Sequence, residues 1–320
     1  MVVALGLLAS LVGAVGVGVH FVGPVSDRLI RIASFVPWLV LVGVVGALLL
    51  LAARSWVLAA VASLVAIVGV ATYAPLYVAD GDQPGAGRVA GAPLTLLQTN
   101  IRLGEADPDA LVRMIAERDV DLVTVQELTF GSVERLDAAG IGDLLPYRFT
   151  APKEDGSGGG TGIYSRYPVT DGEVARGFAM ANVTARLDVD GREVAVAALH
   201  PLPPFPEPAW RWAGEMERIG DVLTGFAADG APVVVCGDFN STWSHTRYRA
   251  LLTDGYRDAA DLSGAGFVPT YPTDSRIPAL VGIDHVVVRD TAVSSFERVS
   301  VAGSDHAGLL VTVTPTFDAG

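Results

Sequence analysis

Carboxylate, amide and imidazole side chains lie at the ends of several apolar segments of this chain, and such groups can bind a hard cation and transfer protons. Glu127 follows an apolar segment at 120–126, and His200 follows another at 193–199. The sequence Gly-Asp-Phe-Asn at 237–240 closes a third. Functional side chains are commonly carried at the ends of the elements of a rigid scaffold. The pattern therefore predicts one site that is built from distant parts of the sequence.

The candidate residues occur in a fixed order along the chain: Asn100, Glu127, His200, Asp238, Asn240, Asp284, Asp305 and His306. This order resembles the motif set of the endonuclease/exonuclease/phosphatase superfamily, which includes the deoxyribonuclease I-like nucleases, neutral sphingomyelinases and inositol polyphosphate 5-phosphatases. The resemblance extends over residues 94–313. It implies an α+β fold, specifically a four-layer α/β/β/α sandwich, and a metal-dependent hydrolase that acts on phosphoric ester or pyrophosphate bonds.

A phosphate ester is anionic at neutral pH, so a hard cation must neutralise its oxygens before a nucleophile can approach. Mg²⁺ or Mn²⁺ with oxygen ligands is suited to this task. The resemblance implies that Glu127, Asn100 and Asp305 bind this metal. Many relatives carry an acidic residue two positions after the first-strand asparagine, where this chain has Arg102. Arg102 removes one potential metal ligand and is predicted instead to contact a substrate phosphate.

The resemblance also assigns the catalytic roles. Asp238, with Asn240 orienting it or the phosphate, would activate the attacking water as a general base. His306, paired with Asp284, would bind the phosphoryl oxygen or assist the leaving group, because a carboxylate partner keeps an imidazole cationic. His200 would contact the same phosphate from the other side. No covalent intermediate is implied.

Apolar segments separated by turn residues predict the elements that hold these groups. The predicted strands are 94–99, 120–126, 162–164, 182–189, 193–199, 232–237, 283–288 and 308–313. Helices are predicted at 209–226 and 246–253, and a further helix is predicted to begin at Asp107 and Pro108. Because strands outnumber helices, we expect two sheets that pack face to face and are covered by helices.

The N-terminal region is almost free of charge and contains three apolar segments, each close to the ~20 residues that a helix needs to cross a bilayer. The predicted spans are 2–22, 35–53 and 56–78, with two spans and one re-entrant or interfacial segment as the alternative. Residues 79–93 are rich in Gly, Pro and Asp and are predicted to form a linker. A catalytic domain at 94–320 follows. This architecture resembles the VanJ-type membrane proteins linked to glycopeptide-antibiotic resistance, and it predicts a multi-pass protein of the cell membrane.

Charge separates the two regions. Residues 1–79 contain one aspartate and three arginines, a net charge of +2. Since the whole chain has a net charge of −13, residues 80–320 carry −13 − 2 = −15. An acidic domain gains nothing from counterion release, which argues against binding of long nucleic acids. Arg28 and Arg31 in one loop favour a cytoplasmic catalytic domain, whereas Arg54 in the next loop favours the opposite. The likeness to VanJ-type proteins favours an extracytoplasmic domain.

The loop after His200 is rich in Pro and leads to Trp210, Arg211 and Trp212. Apolar and aromatic residues beside a phosphate site suit a membrane lipid or lipid-linked phosphate, so these three are predicted to bind substrate. The alternative is a stiff loop that packs on its own domain. We expect a membrane-anchored phosphoesterase, with a membrane-tethered nuclease or an inactive binding domain as alternatives. No sequence feature indicates an obligate protein partner.

Two residues inside the motifs are predicted to be structural. Cys236 lies within an apolar strand and is expected to be buried. His285 directly follows Asp284, so strand alternation should direct its side chain to the opposite face of the sheet.

Overall fold

The computed structural model describes residues 1–23, 26–81, 83, 88–154, 156 and 158–318. In this part of the chain, four N-terminal helices precede an α+β domain. The helices are α1 (Val2–Val22), α2 (Leu29–Ser34), α3 (Val36–Ala52) and α4 (Trp56–Ala71), and a 3₁₀ helix spans Ala74–Tyr77. The predicted linker lies partly outside the described residues. Its residue Asp80 is attached to the domain, because its backbone N–H donates to the Leu262 carbonyl at 3.1 Å.

The N-terminal helices pack through small residues. A Cβ added to Gly13 of α1 would lie 2.5 Å from the Gly43 Cα of α3, so glycine at both positions permits this close approach. α1 has 21 residues and is long and apolar enough to cross a membrane. α3 and α4 have 17 and 16 residues and are shorter than such a span. Of the three spans predicted at 2–22, 35–53 and 56–78, the first has the same bounds as α1, and the other two correspond to the shorter helices α3 and α4. α4 ends at Ala71, seven residues before the end of the third predicted span at residue 78.

The domain contains two mixed sheets. The first is built, in the described residues, from β1 (Val89–Ala90), β2 (Leu94–Asn100), β3 (Leu122–Gln126), β4 (Tyr147–Ala151), β5 (Thr161–Ser165), β12 (Thr291–Ser300) and β13 (Ala307–Phe317). The second is built from β6 (Val169–Val174), β7 (Val183–Val189), β8 (Arg192–Leu199), β9 (Val233–Asp238), β10 (Arg257–Asp258) and β11 (Asp284–Arg289). The strand orders are β1-β13-β2-β3-β5-β4, with β12 paired to β13, and β10-β11-β9-β8-β7-β6. The predicted α+β class with two sheets is confirmed.

Helices cover both outer faces of the sandwich. The remaining helices are α5 (Pro108–Glu117), α6 (Phe130–Ala138), α7 (Ile141–Leu144), α8 (Ala209–Asp229), α9 (Thr246–Arg249) and α10 (Ala259–Ser263). Alternation along β9 shows how the layers form, because Val234 and Cys236 face the core between the sheets. Val233 and Val235 face the core beneath α8. A third core, which includes Leu111 of α5, lies on the outer face of the first sheet.

The N-terminal helices are docked on the domain at one end. The Arg249 guanidinium donates to the His20 carbonyl at the end of α1 (2.7 Å), where a cation also complements the helix dipole. The Trp38 indole of α3 donates to the Leu280 carbonyl (2.8 Å), and the His245 Nε2 lies 3.1 Å from the α2 carbonyl of Ile30. These contacts fix the orientation of the domain relative to the helices.

Candidate active site

Strand pairing brings the candidate residues to one end of the sandwich. In the first sheet, β2 and β3 run parallel with Asn100 opposite Gln126, so Glu127 follows at the same edge. In the second sheet, the parallel pairing of β8 and β9 ends just before His200 and Asp238, which come next on neighbouring strands. The ends of the two sheets therefore deliver amide, carboxylate and imidazole groups to a common region.

Asn100 joins the two sheets. Its Nδ2 donates to Oδ2 of Asp238 at 3.2 Å and to Oε1 of Glu127 at 3.1 Å. Its Oδ1 accepts from the backbone N–H of Arg102 (2.9 Å), and the other Glu127 oxygen accepts from the backbone N–H of Leu103 (2.7 Å). Asn100 is fully buried. The amide is thus held between two carboxylates, one from each sheet.

Asp284 and His306 form a buried ion pair. Asp284 Oδ2 lies 2.8 Å from His306 Nδ1, and its Oδ1 accepts from Gln98 Nε2 at 2.8 Å. Burial alone lowers the pKa of His306, but the charge and hydrogen bond of Asp284 outweigh it and raise that pKa to about 10. Burial raises the pKa of Asp284, but the His306 charge and the hydrogen bonds to the carboxylate outweigh burial, so that pKa is lowered. The imidazole is therefore cationic at neutral pH.

Asp238 lies between two imidazoles and is more basic than an ordinary aspartate. The Nε2 atoms of His200 and His306 each lie 3.7 Å from its Oδ2. Burial, followed by repulsion from Asp284, raises the pKa of Asp238. Its Oδ1 accepts from the backbone N–H of Asn240 at 2.9 Å, which fixes the rotation of the carboxylate. A positioned carboxylate with a raised pKa has the properties of a general base.

Hydrogen bonds between side chains and backbone groups fix the positions of Asn240 and His200. Asn240 has a φ of +49°, a conformation that asparagine tolerates better than most residues, and its Nδ2 donates to the Pro201 carbonyl at 3.0 Å. Asn182 accepts from the His200 N–H at 2.7 Å and donates to the His200 carbonyl at 3.3 Å. The Asn240 side chain thus fixes the loop after His200, while its backbone orients Asp238.

A model of the Endonuclease/Exonuclease/phosphatase family matches residues 97–306, about two-thirds of the sequence. The chain belongs to this family. Members of the family are metal-dependent hydrolases that act on phosphate ester bonds. No curated protein matches this chain.

Solved structures share the fold of the domain. A humanised TDP2 of D. rerio is 16% identical with a TM-score of 0.59, over 69% of this chain and 98% of that one. An endonuclease/exonuclease/phosphatase of Bacteroides vulgatus is 19% identical with a TM-score of 0.53, over 69% and 98%. SmcL is 14% identical with a TM-score of 0.54, over 69% and 99%. At these identities the likeness establishes the fold alone.

Divalent metals are common in this family, and one buried group has ligand atoms close enough to hold an ion. These are Asp238, Asp284 and His306, whose ligand atoms lie within 4.8 Å of one another. His306 Nδ1 is paired with Asp284 Oδ2 at 2.8 Å, which leaves its Nε2 as the ring nitrogen that could bind an ion. The group could therefore hold a metal ion whose identity the structure does not define.

The sequence predicts Glu127, Asn100 and Asp305 as the metal ligands, and within this set Asn100 Nδ2 donates to Glu127 Oε1 at 3.1 Å. Their donors are oxygens, which suit Mg²⁺ or Mn²⁺. Glu127 and Asp305 are half-buried. Burial raises the pKa of Asp305, and repulsion from Glu127 adds to this effect. The chemistry of this donor set fits a hard divalent cation.

Arg102 lies at the rim of the site but is already paired. Its guanidinium contacts Glu105 at 3.1 Å and Asp274 at 3.0 Å, and the side chain is 39% exposed. The Arg102–Asp274 pair connects the loop after β2 with the loop before β11. A substrate phosphate must therefore compete with two carboxylates for this guanidinium.

The three predicted lipid-contacting residues of α8 have different environments. Trp210 is 69% exposed, and Arg211 is exposed to solvent in part and paired with Glu207. Trp212 is fully buried, and its indole donates to Ser241 Oγ at 3.1 Å. The prediction that Trp212 binds substrate is wrong, because positions two apart in a helix point to nearly opposite sides and this one faces the core.

Other residues that support the site were not predicted. Ser304 Oγ donates to the Asn100 carbonyl (2.7 Å) and accepts from the His306 N–H (2.9 Å), linking two site residues. The Tyr271 ring lies 4.7 Å from the His306 ring, centroid to centroid. Gln98, which bonds Asp284, is two residues before Asn100 in β2 and so shares its face. The spacing of two residues from Asn100 could therefore have predicted that the Gln98 side chain faces the site.

The structural roles expected for Cys236 and His285 are confirmed. Cys236 is fully buried in the core between the sheets. His285 Nδ1 lies 2.9 Å from Asp258 Oδ2, and its Nε2 lies 2.8 Å from the Ser241 carbonyl. His285 thus supports the segment after Asp238 from behind the site.

Proposed function

We propose that this protein is a membrane-anchored, divalent-metal-dependent phosphoesterase whose substrate is a lipid-linked phosphate ester or pyrophosphate. The observation that supports it most directly is the hydrogen bonding of Asn100 to both Glu127 and Asp238. It brings the proposed metal ligand and the proposed general base to the two sides of one amide. The Asp284–His306 pair adds a cation on the other side of Asp238.

In this mechanism Asp238 accepts a proton from water as the water oxygen bonds to phosphorus and the ester P–O bond breaks. The cationic His306 donates a hydrogen bond to a phosphoryl oxygen or the leaving group, and Asp284 holds the ring in place. His200 contacts the phosphate from the opposite side of Asp238. Glu127, Asn100 and Asp305 would hold Mg²⁺ or Mn²⁺, which would neutralise part of the phosphate charge.

The position of the N-terminal helices supports a lipid substrate. The loop after His200 leads into α8, whose first N–H donates to Asp27 (2.8 Å), a residue of the segment between α1 and α2. Two exposed aromatic residues, Phe205 (59% exposed) and Trp210, lie in or beside this loop. Ile277, 61% exposed, lies in the loop before β11. Exposed apolar groups beside a phosphate site, next to an apolar helix, suit a substrate that is held in a membrane.

We propose an extracytoplasmic catalytic domain, following the likeness to VanJ-type proteins. The docked end of the helices carries Arg28 and Arg31, whereas Arg54 lies in the turn between α3 and α4 at the other end. The arginine count alone favours the opposite orientation by one residue, and Asp27 offsets this excess. The test is a reporter that works only in the cytoplasm, fused to the C-terminus. Activity of this reporter would contradict the proposal.

The reaction is tested with purified full-length protein and Mg²⁺ on four substrates: a polyprenyl pyrophosphate, sphingomyelin, a phosphoinositide and plasmid DNA. We expect hydrolysis of a lipid-linked phosphate and loss of it in EDTA. Glu127→Ala and Asp238→Ala should each lower kcat by about 10²- to 10⁴-fold. Asp221→Ala, an exposed carboxylate on α8, is the matched control and should retain full activity.

The outcomes separate the competing functions. Cleavage of DNA in preference to all three lipids would identify a membrane-tethered nuclease, and this outcome is a real alternative because a TDP2 structure of the same fold contains a single-strand DNA product. Specific binding of a lipid without turnover would identify an inactive binding domain. Full activity of Asp238→Ala would show that the general base is misassigned.

A further inference from the structure

A groove with a basic rim and an apolar floor lies between α2 and the beginning of α3. It encloses about 750 Å³, including space open to solvent, and is lined by Arg28, Arg31, Ile32, Phe35 and Leu39. Both arginines are exposed, whereas Ile32 and Leu39 are half-buried. The groove therefore offers guanidinium groups above a hydrocarbon surface, which matches a molecule with an anionic head and an apolar chain.

The charge of the rim is available to a ligand. Asp27 is the sole acidic residue between 1 and 79, and its carboxylate accepts from the Ala209 N–H at the start of α8. Arg31 Nε donates to the Asp27 backbone carbonyl at 2.9 Å rather than to its carboxylate. Within the described ranges, the ion pairs of the chain do not include Arg28 or Arg31. Two guanidinium groups can together bind a phosphate through several charge-assisted hydrogen bonds.

The groove adjoins the catalytic domain through Arg31. The Arg31 guanidinium carbon lies 4.7 Å from the centroid of the Phe205 ring, a cation–π contact. Phe205 belongs to the loop that begins directly after His200. On the other side, α3 continues from the groove to Trp38, whose indole bonds the loop before β11. A molecule in the groove therefore lies beside a loop that carries a site residue.

We propose that this groove binds a phosphate-bearing lipid of the surrounding membrane, with its phosphate on Arg28 and Arg31 and its chain on Ile32, Phe35 and Leu39. The inference rests on the membrane anchoring in the proposed function. It adds a binding site that is separate from the Asp238 centre and holds an anionic lipid next to the catalytic loop. Each juxtamembrane arginine strengthens binding of an anionic lipid by about fivefold.

Native mass spectrometry of the full-length protein in neutral detergent tests the proposal. The protein is titrated with phosphatidylglycerol and with phosphatidylcholine of the same chain length. Wild type should bind phosphatidylglycerol at least about tenfold more tightly than phosphatidylcholine, and Arg28→Gln/Arg31→Gln should reduce this preference by about 10- to 30-fold. Arg54→Gln removes one arginine at the other end of the helices and should leave the preference unchanged.

Each remaining outcome is decisive. An unchanged preference in the double variant, or an equal loss in Arg54→Gln, would overturn the proposal. Two results together would show a site for soluble anions instead. These are displacement of phosphatidylglycerol by millimolar inorganic phosphate, and equal affinity for the lipid and for its headgroup without acyl chains. Asp238→Ala should bind phosphatidylglycerol as wild type does even though its catalytic activity on the proposed substrate is lost. Failure of the proposed reaction is therefore distinguishable from failure of the lipid site.

Discussion

Replacing Asp284 with asparagine tests the ion pair that holds His306 in the site. Asp284 is the largest favourable contribution to the rise in the His306 pKa from 6.5 to about 10. At 1.36 kcal/mol per pH unit, a difference of roughly 3.5 pH units corresponds to about 5 kcal/mol. Asparagine keeps the size and one oxygen but removes the charge. Because breaking a buried ion pair costs about 3–5 kcal/mol, we expect the free energy of unfolding of Asp284→Asn to be lower than that of wild type by this amount at pH 7.

The pH dependence has a defined sign. Folding raises the pKa of His306, so its contribution to stability is complete below pH 6.5 and is lost as pH rises through about 10. Folding lowers the pKa of Asp284, so its contribution is present above pH 3.8 and is lost as pH falls through the folded value. In Asp284→Asn, the largest contribution that raises the pKa of His306 is lost while the burial that lowers it remains, so this pKa should fall well below its wild-type value.

The assay is ¹³C NMR titration of histidine-labelled full-length protein in EDTA, with a thermal melt in parallel. The chain has five histidines, so His306→Gln assigns the resonance. A loss of about 3–5 kcal/mol should lower the melting temperature by about 6 to 20 °C. Asp221→Asn is the exposed control and should move neither quantity. A His306 pKa that stays near 10 in Asp284→Asn, with an unchanged melting temperature, would refute the reasoning.

Two further predictions concern the packing of the chain. Trp212→Ala should destabilise the domain by about 3–5 kcal/mol, whereas the exposed Trp210→Ala should change its stability by less than about 0.5 kcal/mol, as measured by thermal unfolding. Equal losses of stability in Trp212→Ala and Trp210→Ala would contradict the burial of the Trp212 indole. Gly13→Val should disrupt the α1–α3 contact and lower the yield of folded protein from membranes, because its Cβ would meet the Gly43 backbone. Gly18→Val, which meets open space, is the control, and comparable losses in both would show that this contact is unimportant.

Several elements could be predicted from the sequence because local physics determines them. Asp107 caps α5 by accepting from the Ala110 N–H at 3.1 Å, and Pro108 occupies the first helical position, as the sequence indicates. The central strands β3, β8 and β9 are rich in Val, Leu and Ala and are largely buried on both faces, so their composition identifies them.

Other elements depend on their neighbours. β4, β6 and β12 were not predicted, because they are partly exposed strands whose residues alternate poorly and are ordered by pairing with an adjacent strand. The helix predicted at 246–253 is shorter, with α9 ending at Arg249. The docking of the N-terminal helices on the domain also had no signal in the sequence.

For the site, the sequence by itself determined which chemical groups are present and their order along the chain, and this was sufficient to identify the family. Only the tertiary structure decided that Asn100 bridges Glu127 and Asp238 and that Trp212 is in the core. The physical reason is that distance, burial and pKa depend on sheet register and on the packing of distant segments. A residue's type defines what chemistry it can do, and its surroundings in the folded chain define which charge it carries there.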